Sequence, residues 1–446
     1  MEIHNSSSLD PAMIRVKNSA LALNEYATAI RRDMHKYPEK GFLLYRTASF
    51  IVKELIYLGY DVKYGWDVME KSLAEPLPSD EEDSLAIERA LSEGADRDIV
   101  EKMRKGATGI IASIGKGSGN GKTVAYRFDI DANTLPEAED PSHRPYREGF
   151  ASLHDGITHA CGHDGHIAIG LTLARVLSEN RDLLRGEVRL IFQPAEEGVR
   201  GAVPMVEKGA TEGVDFFFSG HIGIAALENS LLAASVGKFL ASTKYEVEYF
   251  GRSAHAGKSP QEGRNALLAA AQATVALHAI SRHSEGASRI NVGVLTSGTE
   301  SNVISDYAFM KLETRGETDK INEYMKECAE RIVSSFADMY SLDYTFRETG
   351  RGMSFEPSEE LASEIYSFAR DTGLYDKVVK YLPMNASEDC TFFLDRVEKK
   401  GGRGIYMMFG SELSAPHHNP LFDFNEDTLP KSAALLSMLA VKYTNT

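Results

Sequence analysis

Three histidines and one cysteine, all able to bind metal ions, lie within eight positions, in the segment His159-Ala-Cys161-Gly-His163-Asp164-Gly-His166. The glycine between Cys161 and His163 permits a tight backbone path between the two side chains. Thiolate and imidazole together suit Zn²⁺ or a similar divalent cation. A single histidine or cysteine is more often structural, but this pair stands beside an acidic residue and ahead of a predicted helix. The segment therefore predicts a metal site.

Two adjacent carboxylates, Glu196 and Glu197, follow the apolar residues 188–192. Burying like charges together raises the pKa of each unless a proton or a cation compensates. A metal site would supply the cation, so that one carboxylate coordinates while the other accepts a proton from water. By itself the pair would be an exposed acidic turn, but beside the cysteine and histidine cluster it indicates a catalytic centre.

Further polar groups follow predicted strands: Asp129 and Asp131, His221, and the pair His417 and His418. An isolated histidine after a strand is usually only a polar loop residue. The carboxyl ends of parallel strands, however, meet at one edge of an open α/β sheet, where ligands bind. Several such strand ends, at the edge that also carries the cysteine and the glutamates, predict a single site.

The elements that must hold these residues alternate between strand and helix. Apolar spacing predicts strands over 124–128, 188–192, 216–219 and 404–408, and helices over 12–35, 47–58, 165–178, 202–208, 359–370 and 429–443. Acidic residues and prolines predict an exposed inserted segment over residues 65–106, which becomes helical over residues 85–103. The fold class is therefore α/β, with a sheet domain that carries helices on both faces.

A second pattern begins near residue 240. Predicted strands and helices follow there in the order βαββαβ, which is typical of a ferredoxin-like module. They cover residues 244–250, 265–281, 289–295, 307–314, 320–339 and 343–347. The predicted organisation is a discontinuous domain of residues 1–238 and 351–446, with an inserted module of residues 239–350.

The composition excludes several classes of protein. A chain of 446 residues is long enough for two domains. The formal net charge of −16 and the pI near 5.4 argue against nucleic-acid binding, which requires basic patches. Three cysteines are too few for a disulfide framework, so we expect a reducing cytoplasm. No run of 18 apolar residues occurs and the N-terminus lacks a signal-like apolar stretch, so we expect neither a membrane span nor export.

Ordered motifs along the chain carry a family resemblance. They are Arg127-Phe-Asp129-Ile-Asp131-Ala, the cluster around Cys161, Gln193-Pro-Ala-Glu196-Glu197, Gly220-His221, Ala254-His255-Ala256 and His418-Asn-Pro-Leu-Phe422. In these motifs the chain resembles, over nearly its whole length, the dimetal amidohydrolases and carboxypeptidases, which include aminoacylase-like, hippurate-cleaving and auxin-conjugate-cleaving enzymes. The resemblance implies a metallopeptidase-like sheet domain and a lid or dimerisation role for the inserted module.

The resemblance also implies a ligand set for two divalent ions, Mn²⁺ or Zn²⁺. The ligands would be Cys161, His163, Glu197, His221 and His418, with the cysteine bridging the two ions. Glu196 would be the general base, and Asp129 would orient a ligand or hold its tautomer. His418 is preferred to His417 because the family's last ligand stands two residues before a proline and four before a phenylalanine. Arg127 stands where many relatives have a ligating histidine, which indicates the cysteine-containing branch.

In the family, the inserted module pairs with the same module of a second protomer, and it sends a histidine to the opposite active site. His255 matches that position, and its imidazole would stabilise the oxyanion formed during amide hydrolysis. Asn302 and Arg315 match substrate-binding positions. Arg315 would clamp a substrate carboxylate, with a structural salt bridge as the alternative. The resemblance implies a homodimer or a heterodimer with a related subunit.

A longer likeness, over residues 142–152 and 265–294, is to hydrolases of p-aminobenzoyl-glutamate. It implies cleavage of this folate breakdown product to p-aminobenzoate and glutamate. Two alternatives stay open: hydrolysis of another N-acyl amino acid, and a subunit of a heteromeric hydrolase that depends on its partner for activity.

Overall fold

The computed structural model describes residues 9–115 and 121–446, which form two compact units. Unit 1 contains the described residues up to Gly237 together with Glu356–Met384 and Phe392–Thr446. Unit 2 contains Lys238–Phe355 and the short segment Asn385–Thr391. The predicted boundaries at 238/239 and 350/351 compare with observed ones at 237/238 and 355/356. The expectation about the N-terminus concerns residues that lie partly outside those described.

Strands and helices are numbered here in chain order. The strands are β1 Asp61–Tyr64, β2 Ile110–Ile114, β3 Thr123–Asp129, β4 Glu187–Gln193, β5 Phe216–Ile222, β6 Leu231–Gly237, β7 Ala241–Phe250, β8 Ala254–His255, β9 Ser288–Ser297, β10 Val303–Ile304, β11 Tyr307–Gly316, β12 Asp343–Gly352, β13 Lys377–Pro383 and β14 Arg403–Phe409. The α-helices are α1 Pro11–Leu21, α2 Asn24–Lys36, α3 Tyr45–Tyr57, α4 Asp80–Ser92, α5 Arg97–Lys102, α6 Arg144–Glu148, α7 His163–Glu179, α8 Ala202–Glu207, α9 Ala266–His278, α10 Asp319–Tyr340, α11 Glu359–Thr372, α12 Thr391–Lys399 and α13 Thr428–Thr444. None of the described helices is long and apolar enough to cross a membrane.

Unit 1 is built on one mixed sheet with the strand order β1-β2-β4-β3-β5-β14-β6-β13. The central strands β4, β3, β5 and β14 run parallel to one another, the pairs β1-β2, β2-β4 and β14-β6 are antiparallel, and β6 and β13 pair in parallel. The prediction of an α/β sheet domain is confirmed. The strands β1, β2, β6 and β13 were not anticipated from the sequence.

The alternation of side chains along β5 places helices on both faces of the sheet. Phe216 and Phe218 pack on Tyr443 of α13, with ring centroids 4.4 and 5.4 Å apart. Phe217 points to the other face and stacks on Phe393 of α12 at 5.6 Å. Burial on both faces explains why the central strands read as continuous apolar runs.

Two predictions about the N-terminal region are corrected. The helix expected over residues 12–35 is broken between α1 and α2 at Ala22 and Leu23. The segment expected to be an exposed insert contains helices, α4 and α5, in the region where helix was predicted, but their apolar side chains join the core of unit 1. In the acidic run, Asp83 is only 2% exposed and accepts hydrogen bonds from the Tyr45 hydroxyl and from the backbone N–H of Lys105. The apolar side chains of this segment, which alternate with charged ones, anchor it to the core of unit 1.

Unit 2 is the predicted ferredoxin-like module. Its four-stranded antiparallel sheet has the order β12-β7-β11-β9, and α9 and α10 pack against it around a separate apolar core. The first and last strands of the module are neighbours, and Ser242 on β7 lies opposite Gly352 on β12. The prediction of this βαββαβ fold is confirmed.

Candidate metal centre

The carboxyl ends of three parallel strands bring the first site residues together. Asp129 is the last residue of β3 and Gln193 is the last residue of β4. His221 is the second-to-last residue of β5, so it lies within the strand rather than after it. Because β4, β3 and β5 are neighbours in the sheet, these ends form one edge.

Two histidines at this edge are held in the same tautomer. His163 is the first residue of α7, after Gly162 with φ 85°, and its Nδ1 donates to the backbone oxygen of Asp131 at 2.9 Å. The Nδ1 of His221 donates to the backbone oxygen of Ile222 at 2.8 Å. With the proton on Nδ1, each Nε2 carries a lone pair that can bind a metal ion.

Cys161 belongs to two groups of donor atoms whose members lie within 4.8 Å of one another. One group contains His163 and His221, and the other contains Glu197 and His418. The Cys161 Sγ lies 3.5 Å from Nε2 of His221, and Nε2 of His418 lies 3.3 Å from Oε2 of Glu197. Two ligand atoms of one tetrahedral ion lie about 3.5 Å apart. The observed distances therefore allow the donor atoms of each group to bind one cation in common.

Glu196 lies beside these groups. Its Oε2 is 3.9 Å from Nε2 of His163, and the two residues form a further donor group with Glu197. The five residues for which the sequence suggested a ligand role, together with Glu196, therefore converge within unit 1.

The two neighbouring histidines of the last segment have different surroundings. His418 adopts φ 60°, its backbone N–H donates to the Ala160 oxygen at 2.8 Å, and its imidazole reaches Glu197. The Nε2 of His417 instead meets the backbone oxygen of Ile222 at 3.2 Å, and its ring packs on Phe422. Burial lowers the pKa of His417 to about 4.

The charges of the site call for a cation. Burial raises the pKa of the Cys161 thiol well above its ordinary value, and the nearby charges of Glu197 and Glu196 raise it further. Burial lowers the pKa of His163, but the negative charge of Asp129 and other carboxylates outweighs this effect and raises it to about 10. Among the described residues the buried Nε2 of His163 has no hydrogen-bond partner. Divalent cations would balance these carboxylates and stabilise the thiolate, so the residues fit a metal site.

Asp129 faces His166 and Arg127. Nδ1 of His166 donates to Asp129, and Nε2 of His166 accepts the backbone N–H of Ile222 at 3.0 Å. Arg127 donates to the other oxygen of Asp129 at 2.7 Å, and Asp129 lies 3.8 Å from Nε2 of His163. Both ring nitrogens of His166 are thus engaged, which leaves His166 as a support for Asp129.

Asp131 has a positioning role that the sequence did not reveal. One of its carboxylate oxygens accepts the backbone N–H of Glu196 at 2.9 Å, and the other accepts that of Glu197 at 3.2 Å. The side chain is fully buried, and its carboxylate fixes the backbone of both glutamates. Its location two residues after Asp129 was the available signal.

A buried ion-pair network lies behind the site. Arg31, with a side chain that is 0% exposed, pairs with Asp164 at 2.8 Å and with Asp423 at 2.8 Å. The ring of His35 lies between Asp164 at 2.8 Å and Glu137 at 2.9 Å. The network therefore connects α2, the first turn of α7 that begins with His163, and the segment that follows His418.

The remaining predicted site residues belong to unit 2. His255 lies on β8, opposite Val303 on β10, and the backbone oxygen of Asn302 accepts the N–H of Ala256 at 2.9 Å. The guanidinium of Arg315 contacts both carboxylate oxygens of Glu313, at 2.9 and 3.2 Å. This pair matches the structural alternative for Arg315.

A cavity of about 610 Å³ in unit 1 opens beside the donor groups. Its wall contains Glu197, His418 and Asp131 from the site, and the cations Lys40 and Arg200. The apolar part of the wall comprises Phe42, Leu43, Pro76, Leu77, Pro78, Ala132 and Leu135. The volume is in the range of pockets for small molecules.

Comparison with known proteins places the chain in a family. Residues 125–442 match the model of peptidase family M20/M25/M40. The chain is 43% identical to indole-3-acetyl-aspartic acid hydrolase of Enterobacter agglomerans, over 94% of this chain and 98% of that protein. It is 41% identical to one subunit of p-aminobenzoyl-glutamate hydrolase of Escherichia coli (strain K12), over 95% and 98%. The crystal structure of an aminobenzoyl-glutamate utilization protein from Klebsiella pneumoniae superposes with a TM-score of 0.83 at 36% identity, over 96% and 99%.

The chain belongs to peptidase family M20/M25/M40. The predicted family resemblance and the prediction of an amide-hydrolysing enzyme are thereby confirmed.

Proposed function

We propose that this protein hydrolyses the amide bond between an aromatic acyl group and an acidic amino acid, with p-aminobenzoyl-glutamate as the preferred candidate substrate. The observation that carries the proposal is the position of Cys161 in two donor groups, with the carboxylate of Glu196 beside them. Such a site can hold two cations and a proton acceptor around one amide bond, and metal-dependent hydrolysis of an amide uses these groups.

The names of the relatives support the substrate class. Both relatives described above are named for conjugates of an aromatic acyl group with aspartate or glutamate. The structural neighbour is named for aminobenzoyl-glutamate utilization. Hydrolysis of another N-acyl amino acid is the second candidate, because the two relatives differ in the acyl group and in the amino acid.

We assign one cation to His163, His221 and Cys161, and a second to Glu197, His418 and the same Cys161, with Mn²⁺ or Zn²⁺ as the candidate metals. Bound divalent cations lower the pKa of water and polarise a carbonyl group. The thiolate and imidazole donors suit Zn²⁺, and the carboxylate donors suit Mn²⁺ as well.

Side chains of the protein would transfer the proton, position the catalytic groups and bind the substrate. Glu196 would accept the proton of the attacking water and return it to the nitrogen of the leaving amino acid. Asp131 would hold the backbone of Glu196 in place. Asp129, which accepts hydrogen bonds from His166 and Arg127, would help to orient the nearby imidazole of His163. His255 of a partner subunit would donate to the oxyanion, while Asn302 and Arg315 would contact the substrate.

The surface of unit 2 supports association through this module. Helix α9 is apolar around much of its circumference, and its exposed side chains include Leu267, Leu268 and Val275, which are 40%, 44% and 74% exposed. An exposed apolar surface of this kind typically marks a protein interface. We propose that a second module of the same kind covers it, in a homodimer or in a heterodimer with a related subunit.

Substitution of Glu196 tests the proposed chemistry. Glu196→Gln should lower kcat for p-aminobenzoyl-glutamate by a factor of about 10² or more, while the protein retains its bound metal. Glu212→Gln, on an exposed loop of the same unit, is the matched control and should retain full activity. A metal-loaded Glu196→Gln variant with normal kcat would exclude the proton-transfer role.

An assay of the purified chain separates the remaining alternatives. The chain alone, with added Mn²⁺ or Zn²⁺, should hydrolyse the conjugate, and chelation should abolish the activity reversibly. If activity requires an added related subunit, the alternative of a partner-dependent chain is correct. Comparison with an acetylated amino acid as substrate measures the preference for the aromatic acyl group.

A further inference from the structure

We propose that Arg200 and Lys40 form a subsite in the cavity of unit 1 that binds the side-chain carboxylate of an acidic amino acid in the substrate. This inference rests on the proposed function and adds a specificity site to it. The subsite lies in the cavity that Glu197 and His418 also line, so a bound carboxylate would be part of the same substrate molecule.

Arg200 is held in a defined position. Its guanidinium lies over the ring of Phe42, 5.0 Å from the centroid. A Cβ atom added to Gly41 would lie 2.9 Å from its Nη2, and one added to Gly198 would lie 2.8 Å from its Nε. Two glycines thus make room for a guanidinium at the cavity wall, and a positioned donor loses little conformational entropy when it binds a carboxylate.

The wall carries charges of both signs, the carboxylates of Glu82, Asp131 and Glu197 and the cations of Lys40 and Arg200. The protein has a formal net charge of −16, yet two cations lie on this wall. Each carboxylate of the wall has a partner: Glu82 accepts from the backbone N–H and the hydroxyl of Ser79, both at 2.8 Å, Asp131 accepts two backbone N–H groups, and Oε2 of Glu197 lies 3.3 Å from Nε2 of His418. Lys40 and Arg200 are the groups of this wall whose charge is opposite to that of a substrate carboxylate.

The rest of the cavity fits the carbon chain that carries such a carboxylate. Leu43, Leu77 and Leu135 provide an apolar surface for methylene groups. The two relatives named above act on different acyl groups, indole-3-acetyl and p-aminobenzoyl, but both amino acids are acidic. A cationic subsite for the side-chain carboxylate accounts for this shared feature, because guanidinium and carboxylate form paired charge-assisted hydrogen bonds.

The experiment compares p-aminobenzoyl-glutamate with p-aminobenzoyl-glutamine, which has a neutral side chain of the same size. The metal-loaded protein should prefer glutamate. Arg200→Met should lower kcat/KM for glutamate by about 10- to 100-fold and leave that for glutamine nearly unchanged. Arg200→Lys should retain part of the preference, and it serves as the readout if the methionine variant does not fold. Arg97→Met, which removes an exposed arginine of the same unit, is the matched control.

Each outcome bears on a different claim. If the unaltered protein hydrolyses both conjugates equally well, or if Arg200→Met lowers both values of kcat/KM by the same factor, the subsite is wrong while the proposed hydrolysis stands. If the metal-loaded protein hydrolyses neither conjugate, either alone or with an added related subunit, both the proposed function and the subsite are wrong. A smaller but parallel loss of glutamate preference in Lys40→Met would support the role of the second cation.

Discussion

Replacement of Arg31 by methionine should destabilise unit 1 strongly. Arg31 is fully buried, and its guanidinium pairs with Asp164, Asp423 and Glu426 at 2.8, 2.8 and 3.3 Å. Asp423 and Glu426 would keep Arg144 as a partner, at 2.5 and 3.0 Å. Asp164 is 0% exposed and, among the residues that the structure describes, would keep His35 at 2.8 Å as its ion-pair partner. Removing one partner of a buried ion pair costs about 3 to 5 kcal/mol, and the retained contacts favour the lower end.

The measurement is urea unfolding followed by tryptophan fluorescence. Trp66 is the only tryptophan of the chain and lies in unit 1, so its signal reports on that unit. A loss of about 3 kcal/mol should lower the unfolding midpoint by about 1 M. The control is Arg15→Met, whose pair with Asp182 has side chains that are 49% and 61% exposed and should therefore contribute little to the free energy of unfolding. Equal midpoints for the two variants would refute the reasoning.

Three further predictions follow from the site and its surroundings. Asp131→Asn should lower metal affinity or kcat/KM by about 10- to 100-fold, because an amide cannot accept both backbone N–H groups; metal titration and kinetics check this. Burial and Arg31 lower the pKa of His35, but hydrogen bonds to Asp164 and Glu137 raise it to about 9, so its stabilising contribution is complete below about pH 6.5 and is lost as the pH rises through 9. Urea midpoints of His35→Gln should show a weaker decline over this interval than those of the unaltered protein. Val275→Glu on α9 should lower the mass of the assembly in light scattering, whereas Met339→Glu, at a 68% exposed position of α10, should not.

Local apolar patterns in the sequence predicted part of the fold, although the apolar strands β2 and β6 were missed. The period-two and helical spacings predicted the central strands and the βαββαβ module, because each element buries its own apolar face. Sequence patterns also failed at β1 and β13, where burial alternates or is incomplete and no apolar run marks a strand. The exposed insert expected over 65–106 was wrong because charged residues there surround a narrow apolar stripe.

In the candidate site, too, some residues were predictable from local motifs and others were not. Cysteine, histidine and paired glutamates identify themselves by residue type, so Cys161 and Glu196 could be chosen from motifs. The role of Asp131 depends on hydrogen bonds from two backbone N–H groups, and residue types alone do not predict such hydrogen bonds. The grouping of Lys40 with Arg200 depends on segments that are 160 positions apart in the chain and meet only in the folded protein.

The pairing of Ser242 with Gly352 means that the first and last strands of the ferredoxin-like module, which connect it to the rest of the chain, lie side by side. Opposed residues of neighbouring strands stand about 5 Å apart, so a turn of a few residues would span the gap. The insertion of residues 239–350 therefore adds little loop-closure entropy to the folding of the flanking chain.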